Sequence, residues 1–184
     1  MSEAQTQEPK PTLQGAARMR EIRLDKIVVN IGVGEAGERL LKAEKVLQMV
    51  TAQKPIRTVA KTTNRELGIR KGMPIGVKVT LRGKRAEAFL KRAFWIRENR
   101  IADYSFDREG NFSFGISDYT DFEGMKYDPE IGIFGLDVTV SLARPGRRIT
   151  RRRALIRHLG HRHRITQQEG RDWVRQALGV EVIS

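Results

Sequence analysis

Three segments of this chain alternate between apolar residues and polar or small ones, and that period of two constrains the fold more than any other feature. Residues 22–33 set Ile27, Val29, Ile31 and Val33 on one side and Val28, Asn30 and Gly32 on the other. Residues 75–82 set Ile75, Val77, Val79 and Leu81 against Gly76, Lys78, Thr80 and Arg82. Residues 136–142 set Leu136, Val138, Val140 and Leu142 against Asp137, Thr139 and Ser141. Successive side chains of a strand point to opposite faces, so each segment predicts a strand with one apolar face. Two segments carry a helical period instead. Residues 38–52 align Leu40, Ala43, Leu47 and Val50, and residues 84–97 align Ala86, Phe89, Leu90, Ala93 and Phe94. Apolar strand faces and apolar helix stripes must bury one another. The predicted fold is therefore α+β, a mostly antiparallel sheet with helices packed on one face.

The remaining segments fit around this frame. Pro55 closes the first helix, a short strand over residues 56–60 follows, and residues 61–74 read as a basic loop. Phe112, Phe114 and Ile116 alternate with Ser113, Gly115 and Ser117, and residues 120–134 read as a longer loop. Thr166 and Glu169 have the spacing of a capping box, opening a last helix expected to bury Trp173, Val174, Ala177 and Leu178. Residues 1–17 are polar, contain Pro9, Pro11 and Gly15, and predict a disordered tail. The expected organisation is a tail over 1–17, an α+β core over 18–143, and an arginine-rich extension with a C-terminal helix over 144–184.

Charge narrows the function. The chain has 184 residues and a formal net charge of +13, which favours a polyanionic partner. Residues 18–100 carry +13, residues 101–137 carry −7, and residues 138–184 carry +8. From Arg144 to Arg164 inclusive there are nine arginines and no acid. Cysteine is absent, which excludes disulfides, thiolate metal sites and cysteine nucleophiles. No apolar run approaches a membrane span or a signal-peptide core, so a soluble intracellular protein without membrane contact is expected.

The strands' second faces form a common surface with Asn30, Lys78, Thr80, Arg82, Thr139 and Ser141. It is either a solvated sheet face or a docking face. Single-stranded RNA would call for stacking aromatics, and none occurs among these residues. Short polar and basic side chains suit the shallow minor groove of an RNA helix, read through its shape, phosphates and 2′-hydroxyls. Lys54, Arg57, Lys61, Arg65, Arg70 and Lys71 form a second basic cluster around the 61–74 loop.

Gly32-Val33-Gly34-Glu35-Ala36-Gly37 matches G-x-G-x-x-G after a strand and before a helix, the context of a dinucleotide site. The acid such a site needs on the next strand is missing, and Arg57, Val59 and Lys61 stand there instead. A tight strand-to-helix turn is the simpler reading. His158, His161 and His163 lie among arginines, which disfavours a cation, so neither metal nor cofactor is expected. The acids of 101–137 read as a solvated surface or a contact for a basic protein. Generic DNA binding is a further alternative.

Several ordered motifs give the chain a specific resemblance. Residues Lys26 to Gly34, Gln53-Lys54-Pro55, Arg70 to Gly83, Gly110 to Gly115 and Gly135 to Val138 resemble the universal large-subunit ribosomal protein five family. The resemblance covers about residues 19–180, and the 128–142 segment and arginine-rich extension look archaeal. It implies a structural role in the large subunit and no enzymatic activity, in the cytoplasm, within the ribosome. It implies binding to 5S rRNA and 23S rRNA in the central protuberance, beside neighbouring large-subunit proteins. Asn30, Gln53 and Thr80 match family positions that touch 5S rRNA; Lys54, Lys78 and Arg82 are candidates beside them. The loop 57–72, with Arg57, Lys61, Thr62, Arg65, Arg70 and Lys71, matches the part that reaches the elbow of P-site tRNA. The family also contacts a small-subunit head protein in an intersubunit bridge, and the acidic region is the candidate for it. In the extension, Arg147, Arg148, Arg151, Arg152, Arg153, Arg157, His161, Arg162, His163 and Arg164 are candidate rRNA contacts. One departure is Ala52, where many members have glycine.

Overall fold

A computed structural model describes residues 15–183. The described chain runs α1 (Gly15–Arg20), β1 (Arg23–Gly32), α2 (Glu38–Thr51), β2 (Ile56–Val59), β3 (Pro74–Leu81), α3 (Lys84–Ile96), β4 (Arg100–Ala102), β5 (Phe112–Ile116), β6 (Leu136–Ala143), α4 (Gln167–Leu178) and β7 (Glu181–Ile183). Five strands form one sheet in the order β2-β3-β1-β6-β5, and every neighbouring pair is antiparallel. The α+β architecture expected from the sequence is the one observed.

The core forms where the alternation placed it. Ile27, Val29 and Ile31 of β1, Val77, Val79 and Leu81 of β3, and Leu136, Val138, Val140 and Leu142 of β6 are all buried. Helix α2 lies against β3 and β1, and α3 lies against β1. Their buried stripes are the predicted ones, Leu40, Ala43, Leu47 and Val50 on α2 and Ala86, Phe89, Leu90, Ala93 and Phe94 on α3. The Phe94 ring sits 5.0 Å from Phe114 and 6.0 Å from Phe112, tying α3 to the far strand β5. Removing such a ring costs about 3–5 kcal/mol, so Phe94 is a principal clamp between layers.

Four local outcomes differ from the expectation. First, α1 begins at Gly15, inside the segment expected as tail; residues 1–14 lie outside the described residues. Second, the 61–74 segment is a braced extension of the β2–β3 hairpin. The Ala60 N–H donates to Met73 O at 2.8 Å, and Asn64 and Ile69 exchange bonds of 2.8 and 2.9 Å. Third, α4 buries Gly170 and Val174, while Trp173 and Leu178 are half-buried and Ala177 is exposed. This helix docks through its glycine: a Cβ on Gly170 would lie 2.6 Å from the Gly110 carbonyl oxygen. That approach tilts Trp173 and Leu178 toward a groove shared with Ile22 and Leu24. Fourth, β4 and β7 form a separate parallel pair, Arg100 to Ala102 against Glu181 to Ile183. Segments of three residues are too short to show a period.

The capping box of α4 is present in both directions: Glu169 N–H donates to Thr166 Oγ1 at 3.4 Å, and Thr166 N–H to Glu169 Oε2 at 2.9 Å. The glycine-rich turn after β1 is no dinucleotide cradle. The Val33 and Gly34 N–H groups both donate to Ile75 O, at 3.0 and 2.8 Å, so they point back into the sheet. Strand β1 also has antiparallel neighbours on both sides, whereas a dinucleotide fold needs parallel ones.

Candidate nucleic-acid interface

The helices cover one side of the sheet, and the opposite faces of the strands are open. Pairing fixes which side chains stand in line across the open side. Asn30 is level with Lys78 of β3 and Asp137 of β6; Val28 is level with Thr80 and Thr139. Gly115 and Ser113 of β5 continue these rows beyond Asp137 and Thr139. Lys78, Thr80, Asp137 and Thr139 are exposed, and Asn30 and Ser141 are half-buried between their neighbours. Asn30, Thr80, Asp137, Thr139 and Ser141 are short and Gly115 has no side chain, while Lys78 is long and exposed.

Gln53 and Lys54 stand in the turn between α2 and β2, half-buried and exposed respectively. Ala52 makes that turn in the left-handed conformation, φ 50° and ψ 30°, with its N–H on Gln48 O. Glycine is the residue that takes this geometry without strain, so Ala52 carries a left-handed cost in this turn.

The cations of this surface divide into free and engaged. Arg57 belongs to β2 rather than to a loop, and it reaches back to Glu44 of α2 at 2.9 Å. Lys61, Thr62, Arg65, Arg70 and Lys71 are exposed on the projecting hairpin. Arg82 pairs with Asp25 at 3.0 Å, and Arg151 takes the other oxygen of the same carboxylate at 3.1 Å. Asp25 sits at a β-bulge between Leu24 and Lys26, which turns it toward the open side. One acid thus joins the end of β3 to the arginine-rich extension. Sequence reading missed Asp25, because its partners lie 57 and 126 residues away.

The extension is folded back on the sheet's end. The Arg144 side chain is 10% exposed; it donates to the carbonyls of Arg162 and Arg164 and to Glu169 Oε1 at 2.6 Å. Arg147 donates to Leu142 O at 3.0 Å, and the His163 ring meets Pro145 O at 2.8 Å. Arg152 is half-buried and donates to Leu155 O. These residues hold the extension's shape. Arg148, Arg153, Arg157, His161, Arg162 and Arg164 are exposed, and none of them makes a side-chain ion pair among the described residues. Burial alone would raise the Glu169 carboxyl. The Thr166 N–H and the Arg144 guanidinium outweigh burial and hold it below its ordinary value.

This geometry defines a basic docking protein, with a bare polar sheet flanked by a cationic hairpin and a cationic extension. Comparison with known proteins supplies the family. Residues 18–70 match the family described as Ribosomal protein L5, and residues 74–171 match the C-terminal region of the same ribosomal family. Among relatives named Large ribosomal subunit protein uL5, that of Sulfurisphaera tokodaii is 50% identical over 184 residues, covering 100% of this chain and 99% of the relative. That of Thermoplasma acidophilum is 52% identical over 166 residues, covering 90% and 98%. That of Picrophilus torridus is 53% identical over 166 residues, covering 90% and 94%. The chain belongs to the ribosomal protein L5 family.

Proposed function

We propose that the open sheet face holds 5S rRNA and helps attach it to 23S rRNA in the central protuberance. As a member of a ribosomal protein family, the chain is a structural constituent of the large subunit, works in the cytoplasm within the ribosome, and catalyses no reaction. Its mechanism is placement. Phosphate contacts from exposed arginines and lysines supply affinity, and the short polar rows supply fit. The projecting hairpin reaches P-site tRNA. The acids of the 101–137 stretch that lie off the open sheet face meet a basic protein of the small-subunit head.

The observation that carries the reading is the open side of the sheet, where Asn30 and Lys78 are paired in register and Thr80 lies on the same face two residues on. The test is Asn30→Ala combined with Thr80→Ala, assayed for 5S rRNA binding. Each replaced group contributes about 1 kcal/mol, so affinity should fall roughly 10-fold or more while the melting curve stays in place. Unchanged affinity in a folded double variant would remove the sheet face as the contact.

A further inference from the structure

The open face is chemically two halves. Its β2–β3 side is cationic, with Lys78 exposed on β3 and Lys54 just before β2. Its β5–β6 side has Asp137, exposed and without an ion pair among the described residues. A carboxylate there repels phosphate. A hollow of about 440 Å³ opens at this end, bordered by Arg97, Tyr104, Ser113, Gly115, Asp137 and Thr139. Tyr104 is 90% exposed, the most exposed of the large hydrophobic side chains among the described residues. It stands on a single 3₁₀ turn, and that turn is anchored: Arg171 of α4 grips the neighbouring Asp103 at 2.6 Å. A ring held out in water on a rigid support is a stacking surface. Gly115 adds no side chain to the floor, and a Cβ built on it would meet nothing within 4 Å. Arg97 is exposed at the C-terminal end of α3, and it too makes no ion pair among the described residues.

We propose that this hollow is a subsite for one unpaired guanine of the bound RNA, an inference that rests on the RNA-binding reading above. The base stacks on Tyr104. Its N1–H and N2 amino group donate side by side to the Asp137 carboxylate, while Arg97 meets the adjoining phosphate. The choice of base follows from the donors. A carboxylate only accepts, and guanine alone presents two adjacent donors on its Watson–Crick edge. Adenine and cytosine each place an acceptor beside their amino group, and uracil flanks its single N–H with two carbonyl oxygens. The polar face thus reads phosphate at one end and a base at the other.

The test uses the full chain and fluorescein-labelled hexaribonucleotides, uridines with one central guanosine, adenosine, cytidine or uridine, titrated by anisotropy. The guanosine oligomer should bind at least about 5-fold tighter than the other three. Tyr104→Ala should weaken it about 5- to 100-fold, the range of one stacked base, while Tyr104→Phe retains binding. Asp137→Asn should erase the preference for guanosine. Equal binding of all four oligomers, or full affinity in Tyr104→Ala, overturns the subsite. Because Tyr104 and Asp137 are exposed, neither replacement threatens the fold. Intact 5S rRNA is titrated in parallel. Binding of 5S rRNA without guanosine preference sinks the subsite alone; failure to bind 5S rRNA sinks the broader reading.

Discussion

Single residues here do work that their neighbours in sequence do not reveal. Asn30 and Thr80 were legible because alternation assigns a face to every residue of a strand. Asp25 was not, because a bulge moved it and its partners come from remote parts of the chain. Arg147 and His163 look like free cations in a basic run, yet both are committed to carbonyl oxygens. Ala52 offers a direct test of local strain. Ala52→Gly should stabilise the protein by about 0.5–1 kcal/mol, read as a rise in melting temperature, because glycine relieves the left-handed cost and gives back part of the gain as chain entropy. Glu169 gives a pH signature. Its folded carboxyl lies below the ordinary 4.5, so its contribution is present above that value and is lost as pH falls through the depressed one. Glu169→Gln should therefore make stability fall less steeply with acid over that range, which denaturant titrations at stepped pH would show.

At the scale of elements, long periodic segments were readable and short ones were not. Strands β1, β3 and β6 and helices α2 and α3 came from pattern alone. The β4–β7 pair has too few residues for a period, and it depends on contacts across the whole fold. The 61–74 segment reads as a loop because it carries no period of two; its backbone is held by the Asn64–Ile69 bridge, the Ala60–Met73 bond and the Thr63 and Asn64 side chains. Being braced, it projects as a unit. Neutralising Lys61, Arg65 and Lys71 together should weaken tRNA contact and leave 5S rRNA affinity within about 2-fold, since none of these residues lies on the sheet face; filter binding against both RNAs would decide. Helix α4 depends on two glycines in contact. Gly170→Ala should destabilise by about 1–3 kcal/mol through overpacking against Gly110, measured by chemical denaturation.

For the whole molecule, charge and architecture agree. Apolar burial is confined to one side of the sheet and the interior, and exposed cations stand on the hairpin, on the extension and along α3. Binding to 5S rRNA should be strongly salt-dependent. Six to ten phosphate contacts, on the scale of duplex DNA, correspond to a loss of about 10³–10⁵ in affinity between roughly 50 and 200 mM salt. A flat profile would show that phosphates carry little of the binding. The extension itself was legible only as charge; that it folds back on the sheet's end depends on Arg144 and Asp25, contacts that composition cannot express.

The pairing of Arg100–Ala102 with Glu181–Ile183, and the clasp between Asp25 and Arg151, have a bearing on biogenesis. During translation the sheet can close once β6 has emerged. Its corner then waits for residue 151, and β4 waits for 181–183. A chain stalled between residues 164 and 181 would hold the sheet and the Asp25–Arg151 clasp but leave the edge of β4 unpaired. Among the described residues, the β4–β7 pair is thus the last pairing that synthesis makes possible.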